Sequence, residues 1–563
     1  MRMAQIDNAL RKETGAHYTP PELAAFVAEQ IVAHIDASSA SLRVLDPAIG
    51  DGALMEALVL RLDGAKVTGF DTDASALSEA RDRLAQFVPA DRLDLQKADF
   101  TNLCLHATGT DLFAQGQIGP FDSVIANPPY VRTQVMGARR AQEIANAFQL
   151  SGRVDLYFSF LLCIASVLRP GGVAGVIVSN RFMTTRSGEE IRRRLLSEFE
   201  ILHVWDFGDT KLFEAAVLPA VLILRKRRSD TGAGTAPRMS AIYTTSEPAE
   251  KHAHSVFEAL QFSGNVSVNG ETFMVRHGTL NHGESPDGVW RLATKSGDAW
   301  LDTVERHTHY TFGDIGKVRV GVKSTADKVF VRHDWHLMPD DAKPELLRPL
   351  LTHHNARRYR ADTEARPTQI LYPHEVEEGR KRSVDLSRFP KSAFYLAQHR
   401  AQLEKRHYVL DAGREWFELW VPQNPDAWRL PKLVFPDISE KPVFWLDLEG
   451  AVVNGDCYWI APQTEAETDL LWLALGVGNS TFIEEFYDHV FHNKLYAGRR
   501  RFMTQYVERF PIPDPSTHIA GEIVGCAKAM HANPCRRDAA ELQKRIDLLV
   551  RQAFGVSSEE VHG

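Results

Sequence analysis

From its start to Arg228, the chain alternates two patterns: short apolar runs closed by acidic or turn residues, and apolar-periodic helical stretches. Thr19-Pro20-Pro21-Glu22 reads as a helix start, with Thr19 as N-cap and Glu22 three residues later, and the helix runs to about Ile35. Strands are predicted at Leu42–Asp46, Val67–Phe70, Leu93–Lys97 and Ser123–Ala126, separated by helices at Ala53–Leu62 and Ala74–Gln86. A buried helix over Val154–Leu168, a turn at Arg169–Gly172 and a strand over Val173–Ser179 follow. A helix near Gly188–Glu198 then precedes strands at Ile201–Phe207 and Val217–Leu224, which are close enough to form an antiparallel hairpin. Strands alternating with helices predict an α/β domain with a seven-stranded, largely parallel, Rossmann-like sheet.

Beyond Arg225-Lys226-Arg227-Arg228, the Gly/Thr/Ala-rich stretch 229–239 reads as a linker. It divides a first domain, 1–228, from a second, 240–563, predicted as mixed α+β with C-terminal helices. In the second, Val318–Lys323 and Lys328–Val331 read as paired short strands, and Asp538–Phe554 as a final helix. Three stretches there mix cations with aromatics: Arg357-Arg358-Tyr359-Arg360, Lys405-Arg406-His407-Tyr408 and Arg499-Arg500-Arg501-Phe502. Such groups suit phosphate contact and base stacking, although each one singly reads as surface.

At 563 residues, 44% hydrophobic and 25% charged, the composition is that of a soluble globular protein of several domains. No apolar run reaches membrane-spanning length and the N-terminus is not a signal peptide, so no membrane partner is expected. Five scattered cysteines have neither metal-ligand nor disulfide spacing, which fits a reducing cytoplasm and no metal site. The net charge of −8 is spread so that neither half is basic, and a nucleic-acid partner would have to be met by local patches.

The candidate chemistry sits at the strand ends. The first strand closes in Asp46-Pro47-Ala48-Ile49-Gly50-Asp51-Gly52, and its glycines let a ligand approach the backbone. Gly-x-Gly alone is a weak signal: the third glycine of the dinucleotide pattern and the Lys-Ser/Thr of a phosphate loop are missing. Asp71 ends the second strand, where such folds hold a ribose hydroxyl pair. Asp99-Phe100 ends the third and suits an adenine amino group and ring face, or a plain turn. The fourth ends in Asn127-Pro128-Pro129-Tyr130. The prolines stiffen this loop and leave an amide oxygen, a bare carbonyl and a ring at the sheet edge. That set fits a planar heterocycle with an exocyclic amino group: Asn127 and the Pro128 carbonyl accept its hydrogens and Tyr130 covers its face. A proline-stiffened turn is the bland alternative for a lone Asn-Pro, but the succession of Asp46, Asp71, Asp99 and Asn127 on successive strand ends outweighs it.

Thr19-Pro20-Pro21, Asp46-Pro47-x-x-Gly50-x-Gly52, Asp71, Asp99-Phe100, Asn127-Pro128-Pro129-Tyr130 and Phe213, in this order, resemble the gamma-class adenine-N6 DNA methyltransferases of the TaqI/Eco57I type. The second half resembles the TaqI-like target-recognition region more loosely, through Val320-Gly321-Val322-Lys323, Leu346–Leu350, Pro431–Pro436 and Phe510-Pro511-Ile512-Pro513. The resemblance implies S-adenosyl-L-methionine as cofactor, held by Thr19, Asp46, Ala48, Asp71, Asp99 and Phe100 with the Gly50 and Gly52 backbone. It implies a base pocket of Asn127, Pro128, Tyr130 and Phe213, with double-stranded DNA as partner. Relatives often carry Glu where this chain has the shorter Asp71. The implied activity is site-specific transfer of a methyl group to a flipped-out adenine, as the cytoplasmic modification component of a restriction–modification system whose endonuclease would be encoded separately. An RNA or protein-glutamine methyltransferase, which shares Asn-Pro-Pro-Tyr, and a non-catalytic DNA-binding subunit are the rival readings.

Overall fold

The computed structural model describes residues 19–36, 41–107, 118–130, 138–148, 155–213, 218–228, 236–364, 366–462, 468–491, 499–533 and 537–556. The chain divides into two compact units, Met1–Thr294 with Phe491–Gly498, and Lys295–Val490 with Arg499–Gly563.

The first unit is built on one 12-stranded sheet. Its strands are β1 (Arg43–Asp46), β2 (Lys66–Asp71), β3 (Leu93–Lys97), β4 (Phe121–Ala126), β5 (Leu168–Ser179), β6 (Phe199–Asp206) and β7 (Pro219–Lys226), then β8 (Arg238–Thr244), β9 (Lys251–Ala253), β10 (Gly264–Val268), β11 (Glu271–Asn281) and β12 (Arg291–Ala293). The spatial order is β3-β2-β1-β4-β5-β7-β6-β8-β11-β10-β9, with β12 on β11. β3, β2, β1, β4 and β5 run parallel, and β7 lies antiparallel between β5 and β6. The seven-stranded α/β core with its antiparallel last strand is the one the sequence predicts.

Helices cover both faces: α1 (Pro21–Val32), α2 (Ala53–Val59), α3 (Ala74–Leu84), α4 (Phe100–Ala107), α5 (Ala138–Phe148), α6 (Leu156–Val167) and α7 (Glu189–Glu198). α1, α2 and α3 bury their apolar stripes in one core, and α4, α6 and α7 bury theirs in another. β4 serves both: Val124 and Ala126 belong to one core and Ile125 to the other, as period-two alternation requires. Strands buried on both faces explain the near-continuous apolar runs in the sequence. The chain leaves β1 toward β2 and β3, then returns to β4 on β1's other side. That reversal is the crevice where open α/β sheets take ligands, at the carboxyl ends of β1 and β4.

Three differences from the sequence pattern stand out. The first unit does not end at 228: residues 236–237 lead into β8, which pairs in parallel with β6 and buries five of its seven residues. Without β8, β6 would present an unpaired edge. Residues 229–235 of the expected linker lie outside the described residues. β5 starts at Leu168, before the expected turn, and its register against β4 shifts between Phe121 and Ser123. Third, Val318–Lys323 and Lys328–Val331 do not pair. Thr325 takes a left-handed φ of 57°, and Asp327–Phe330 closes into a helical turn that buries Val329 and Phe330. Arg319–Val320 pairs instead with Cys457–Ile460, and Val331–Arg332 with Gln369–Leu371.

The second unit holds two four-stranded sheets around a core rich in tryptophan, including Trp335, Trp428, Trp445 and Trp459. Its last helix, Ala539–Ala553, falls where the apolar period places it.

Candidate active site

Two hydrogen-bonded groups form at the switch point, one at the end of β1 and one at the end of β4. At β1, the Asp46 carboxylate is fully buried. Its Oδ1 accepts from the Ala48 N–H at 3.0 Å, while its Oδ2 has no partner among the described residues. Burial pushes this carboxyl up to about 8; the Ala48 N–H opposes the rise and the charges of Asp71 and Asp51 add to it. A buried carboxylate oxygen with no donor of its own is poised for one from a ligand.

The loop after Asp46 is tied to β2. Ile49 N–H donates to the Phe70 carbonyl at 2.9 Å, and Gly50 N–H to Asp71 Oδ2 at 2.9 Å. Asp71 Oδ1 accepts from Asp73 N–H at 2.9 Å. Each Asp71 oxygen therefore holds one backbone donor and keeps lone-pair capacity for another. The two glycines have separate tasks. Gly52 takes φ 84° at the start of α2, where a Cβ would stand 3.1 Å from the Ala80 Cα on α3. Gly50 takes φ 53° with open space where a Cβ would point. Gly52 makes room for a helix, and Gly50 leaves its side of the loop open to solvent or ligand.

At the end of β3, Asp99 Oδ1 accepts from the Thr101 hydroxyl at 2.6 Å and from Asn102 N–H at 3.2 Å. This is the geometry of a helix cap on α4. Phe100 is a core ring, 1% exposed, stacked on Phe70 at 5.9 Å and tilted against Phe160 at 6.0 Å. It fixes the start of α4 against the core of the described residues.

At the end of β4, Asn127 Nδ2 donates to the Thr19 hydroxyl at 3.0 Å, and the Tyr130 hydroxyl donates to Asn127 Oδ1 at 3.0 Å. Thr19 does not cap α1: the cap residue is Pro20, with no side-chain hydrogen bond, and the Thr19 hydroxyl is spent on Asn127 instead. The Tyr130 ring stands edge-on to Tyr157 at 6.3 Å and is half-buried against the α6 side of the sheet. Burial holds its phenol far above the usual range, so it stays neutral. Phe213 is buried, but in the opposite core, with α1. The structure thus joins Thr19, Asn127 and Tyr130 in one bonded set, and Asp46, Ala48, Gly50 and Asp71 in a second.

A third polar set was not legible in the sequence. Asn180 after β5 donates to Asp206 Oδ1 at 2.9 Å, and the Tyr243 hydroxyl donates to Asp206 Oδ2 at 2.6 Å. Asp206 ends β6 and is fully buried, and burial pushes its carboxyl up to about 6 against these bonds. Tyr243 comes from β8, beyond the expected domain boundary.

The cation–aromatic stretches of the second unit divide: Arg357, Arg360, Lys405, His407, Tyr408 and Arg499 are exposed, and the others are engaged within the fold. Arg500 is buried in bidentate contact with Asp488, and Arg501 grips Asp437. Arg406 donates to the carbonyls of Leu403, Ser324, Glu418 and Trp416, and Tyr359 is a core ring.

Residues 67–213 match the model of the Eco57I restriction-modification methylase family, and residues 354–512 match the TaqI-like C-terminal specificity domain. Type II methyltransferase M.BanIII of Aneurinibacillus aneurinilyticus is 38% identical over 97% of this chain and 98% of its own length. Type II methyltransferase M.XhoI of Xanthomonas vasicola is 25% identical over 89% of this chain and 91% of that protein. A release factor glutamine methyltransferase of Chlorobaculum tepidum is 33% identical, but over 24% of this chain and 45% of that protein. With a doubly wound sheet, two bonded residue sets at its switch point and a likeness to M.BanIII running nearly end to end, the chain belongs to the type II methyltransferases of restriction–modification systems.

Proposed function

We propose that this protein transfers a methyl group from S-adenosyl-L-methionine to the N6 amino group of an adenine flipped out of duplex DNA. The observation that carries this is the Thr19–Asn127–Tyr130 set at the end of β4, beside the orphaned Asp46 carboxylate on β1. The residues at β1 and β2 fit the cofactor's chemistry. It has a positively charged sulfonium, an ammonium group and ribose hydroxyls. Asp46 Oδ2, the spare lone pairs of Asp71 and the open side of Gly50 are acceptors and space for those groups. When bound, the cofactor supplies an electrophilic methyl group.

The protein's own residues solve the other half of the problem. An aromatic amino nitrogen is a poor nucleophile because its lone pair is delocalised into the ring. Asn127 Oδ1 and the Pro128 carbonyl accept its two hydrogens and favour a pyramidal nitrogen whose lone pair points out of the ring plane. With the cofactor bound, the N–C bond would form as its S–C bond breaks, and the nitrogen would then release its proton to solvent. Thr19 holds the Asn127 amide nitrogen, which aims its oxygen. An sp² oxygen has two lone pairs, so Oδ1 can keep the Tyr130 hydroxyl and still accept an amino hydrogen. Tyr130 offers a ring to the base, and Phe213, placed in the opposite core, closes the edge from that side. The second unit, through its specificity-domain match, is the reader of double-stranded DNA. A separately encoded endonuclease and a cytoplasmic location complete the reading, and among the described residues no helix is long and apolar enough to cross a membrane.

A protein glutamine amide is also a planar amino group, and the Chlorobaculum likeness favours that rival locally. It leaves most of this chain unaccounted for, the specificity-domain match included. A non-catalytic subunit would have no need of the bonded Thr19–Asn127–Tyr130 set. The deciding experiment is tritium transfer from labelled cofactor to duplex DNA, to RNA and to release-factor protein, followed by nucleoside analysis. Label in N6-methyladenine of duplex DNA is expected; label in cytosine, RNA or protein alone overturns the proposal.

A further inference from the structure

The second unit contains a cavity of about 560 Å³, lined by Lys317, Arg319, Asn424, Asp426, Leu430 and Trp459 among others. Arg319 pairs across the strand with Trp459, and its guanidinium lies over that indole at 5.2 Å. Among the described residues Lys317 and Arg319 make no ion pair, and the Arg319 guanidinium donates to the Lys317 carbonyl at 3.3 Å. Arg348 and Arg429 stand close to the same edge: burial depresses the Arg348 guanidinium, and the charges of Arg429 and Asp426 act on it in opposite senses. Among the described residues, Asp426 is the acid that lines the cavity. On a protein of net charge −8, this is a local excess of cations around a concave site.

The cavity also offers directional groups. Asn424 Oδ1 is committed to the Asp426 N–H at 3.1 Å, as the cap of a short turn, which leaves its Nδ2 as a donor. The exposed Asp426 carboxylate is an acceptor. Trp459 is fully buried, yet its indole Nε1–H has no partner among the described residues. Gln423, just before this pair, is held at φ 61° by a 2.7 Å bond from its Nε2 to the Val320 carbonyl. Left-handed backbone at a non-glycine residue costs energy and is kept where the surrounding structure dictates it.

We infer that this cavity seats one nucleotide of the bound DNA, with its phosphate on Lys317 and Arg319 and its base edge read by Asn424 and Asp426. One donor beside one acceptor complements the major-groove edge of adenine, with its N7 acceptor and N6 donor, better than that of guanine, which has two acceptors. These four residues therefore set affinity and sequence preference; they are not catalytic. The inference rests on duplex DNA being the substrate.

The test uses the full-length chain. DNA affinity is measured by anisotropy against salt concentration, and the methylated sequence is mapped by modification-sensitive sequencing of host DNA. The Lys317→Ala/Arg319→Ala variant should bind DNA more weakly on every sequence, with a salt slope lower by about 2. Asn424→Ala and Asp426→Asn should relax the preference at a single position of the site. All variants should keep wild-type cofactor affinity, and all but Asn424→Ala, which gives up the turn cap, should keep the wild-type melting temperature. Unchanged salt slope and unchanged methylated sequence across all of them would overturn the inference. Wild-type protein that methylates no duplex at all would instead overturn the function proposed above.

Discussion

Thr19 and Asn127 are hydrogen-bonded at 3.0 Å although 108 residues separate them. The bond crosses from the start of α1 to the end of β4, so the loop before the first helix orients the amide that ends the fourth strand. Thr19 can do this because Pro20 takes over the start of the helix.

Removing the Asn127 amide should cost the reaction most. In Asn127→Ala, kcat should fall by a factor equivalent to about 3–4 kcal/mol, the typical loss for one transition-state hydrogen bond, with cofactor affinity and melting temperature near wild type. Thr19→Val should fall less, by roughly tenfold, since the amide remains but is free to rotate. Single-turnover rates decide this: activity of Asn127→Ala within tenfold of wild type removes Asn127 from the reaction.

The two glycines should separate stability from binding. Gly52→Ala meets both a φ of 84° and the Ala80 backbone at 3.1 Å, so it should destabilise the protein by about 1–3 kcal/mol. Gly50→Ala faces open space and suffers its backbone strain alone, so it should melt closer to wild type and lose cofactor affinity more. Denaturation and titration calorimetry on the pair check the split, and equal melting temperatures would contradict it.

Under the proposed function, Asp46 should make cofactor binding pH-dependent. Its folded-state pKa of about 8 lies above the ordinary 3.8, so the free protein keeps that proton at neutral pH. A cation bound beside it favours the carboxylate, so binding releases a proton. Affinity should rise with pH up to about 8, by at most tenfold per unit, and level off above. Stability of the free protein runs the other way. Between about pH 4 and 8 the folded state holds a proton the unfolded chain has lost, so this group's contribution falls as pH rises. Asp46→Asn should flatten both curves, and calorimetry in buffers of different ionisation heat counts the proton.

The strand ends were legible because an α/β core writes itself in apolar runs that stop at Asp46, Asp71, Asp99 and Asn127. The roles within the site were less so. Phe100 follows Asp99 in the sequence, and only the fold shows its ring stacked on Phe70 in the core. Thr19 looks like a helix cap because the pattern cannot register a partner 108 residues away. The extension of the sheet by β8 was hidden because a polar, glycine-containing stretch precedes a short apolar run. For the same reason Tyr243 could not be joined to Asp206. Arg500 and Arg501 read as a nucleic-acid patch because their acids, Asp488 and Asp437, lie elsewhere in the sequence.

The Asp206 network gives a stability prediction independent of function. Tyr243→Phe removes one hydrogen bond to a buried carboxylate and should destabilise the protein by about 1–3 kcal/mol. The loss should be larger at pH 8 than at pH 5, because Asp206, with its pKa near 6, carries a full charge only at the higher pH. Urea denaturation at the two pH values measures it, and a loss independent of pH would show that the hydroxyl does not act on that charge.

Tyr130 should act through its ring first and its hydroxyl second. Stacking of a base on one aromatic ring contributes about 1–3 kcal/mol, comparable with the few kcal/mol that extruding a nucleotide costs. The hydroxyl adds a 3.0 Å bond that steadies Asn127, a task Thr19 shares. Tyr130→Phe should therefore keep methylation within roughly tenfold of wild type, since the bond from Asn127 to Thr19 survives. Tyr130→Ala should lose far more, and because its ring packs on the α6 core it should also melt lower, so rates are compared well below its transition. A duplex with 2-aminopurine at the target adenine separates the steps. Wild-type protein and Tyr130→Phe should change its fluorescence alike on binding, and Tyr130→Ala should differ from both. If the Phe and Ala variants lose rate equally, the hydroxyl and not the ring face carries the effect, and the base is held some other way.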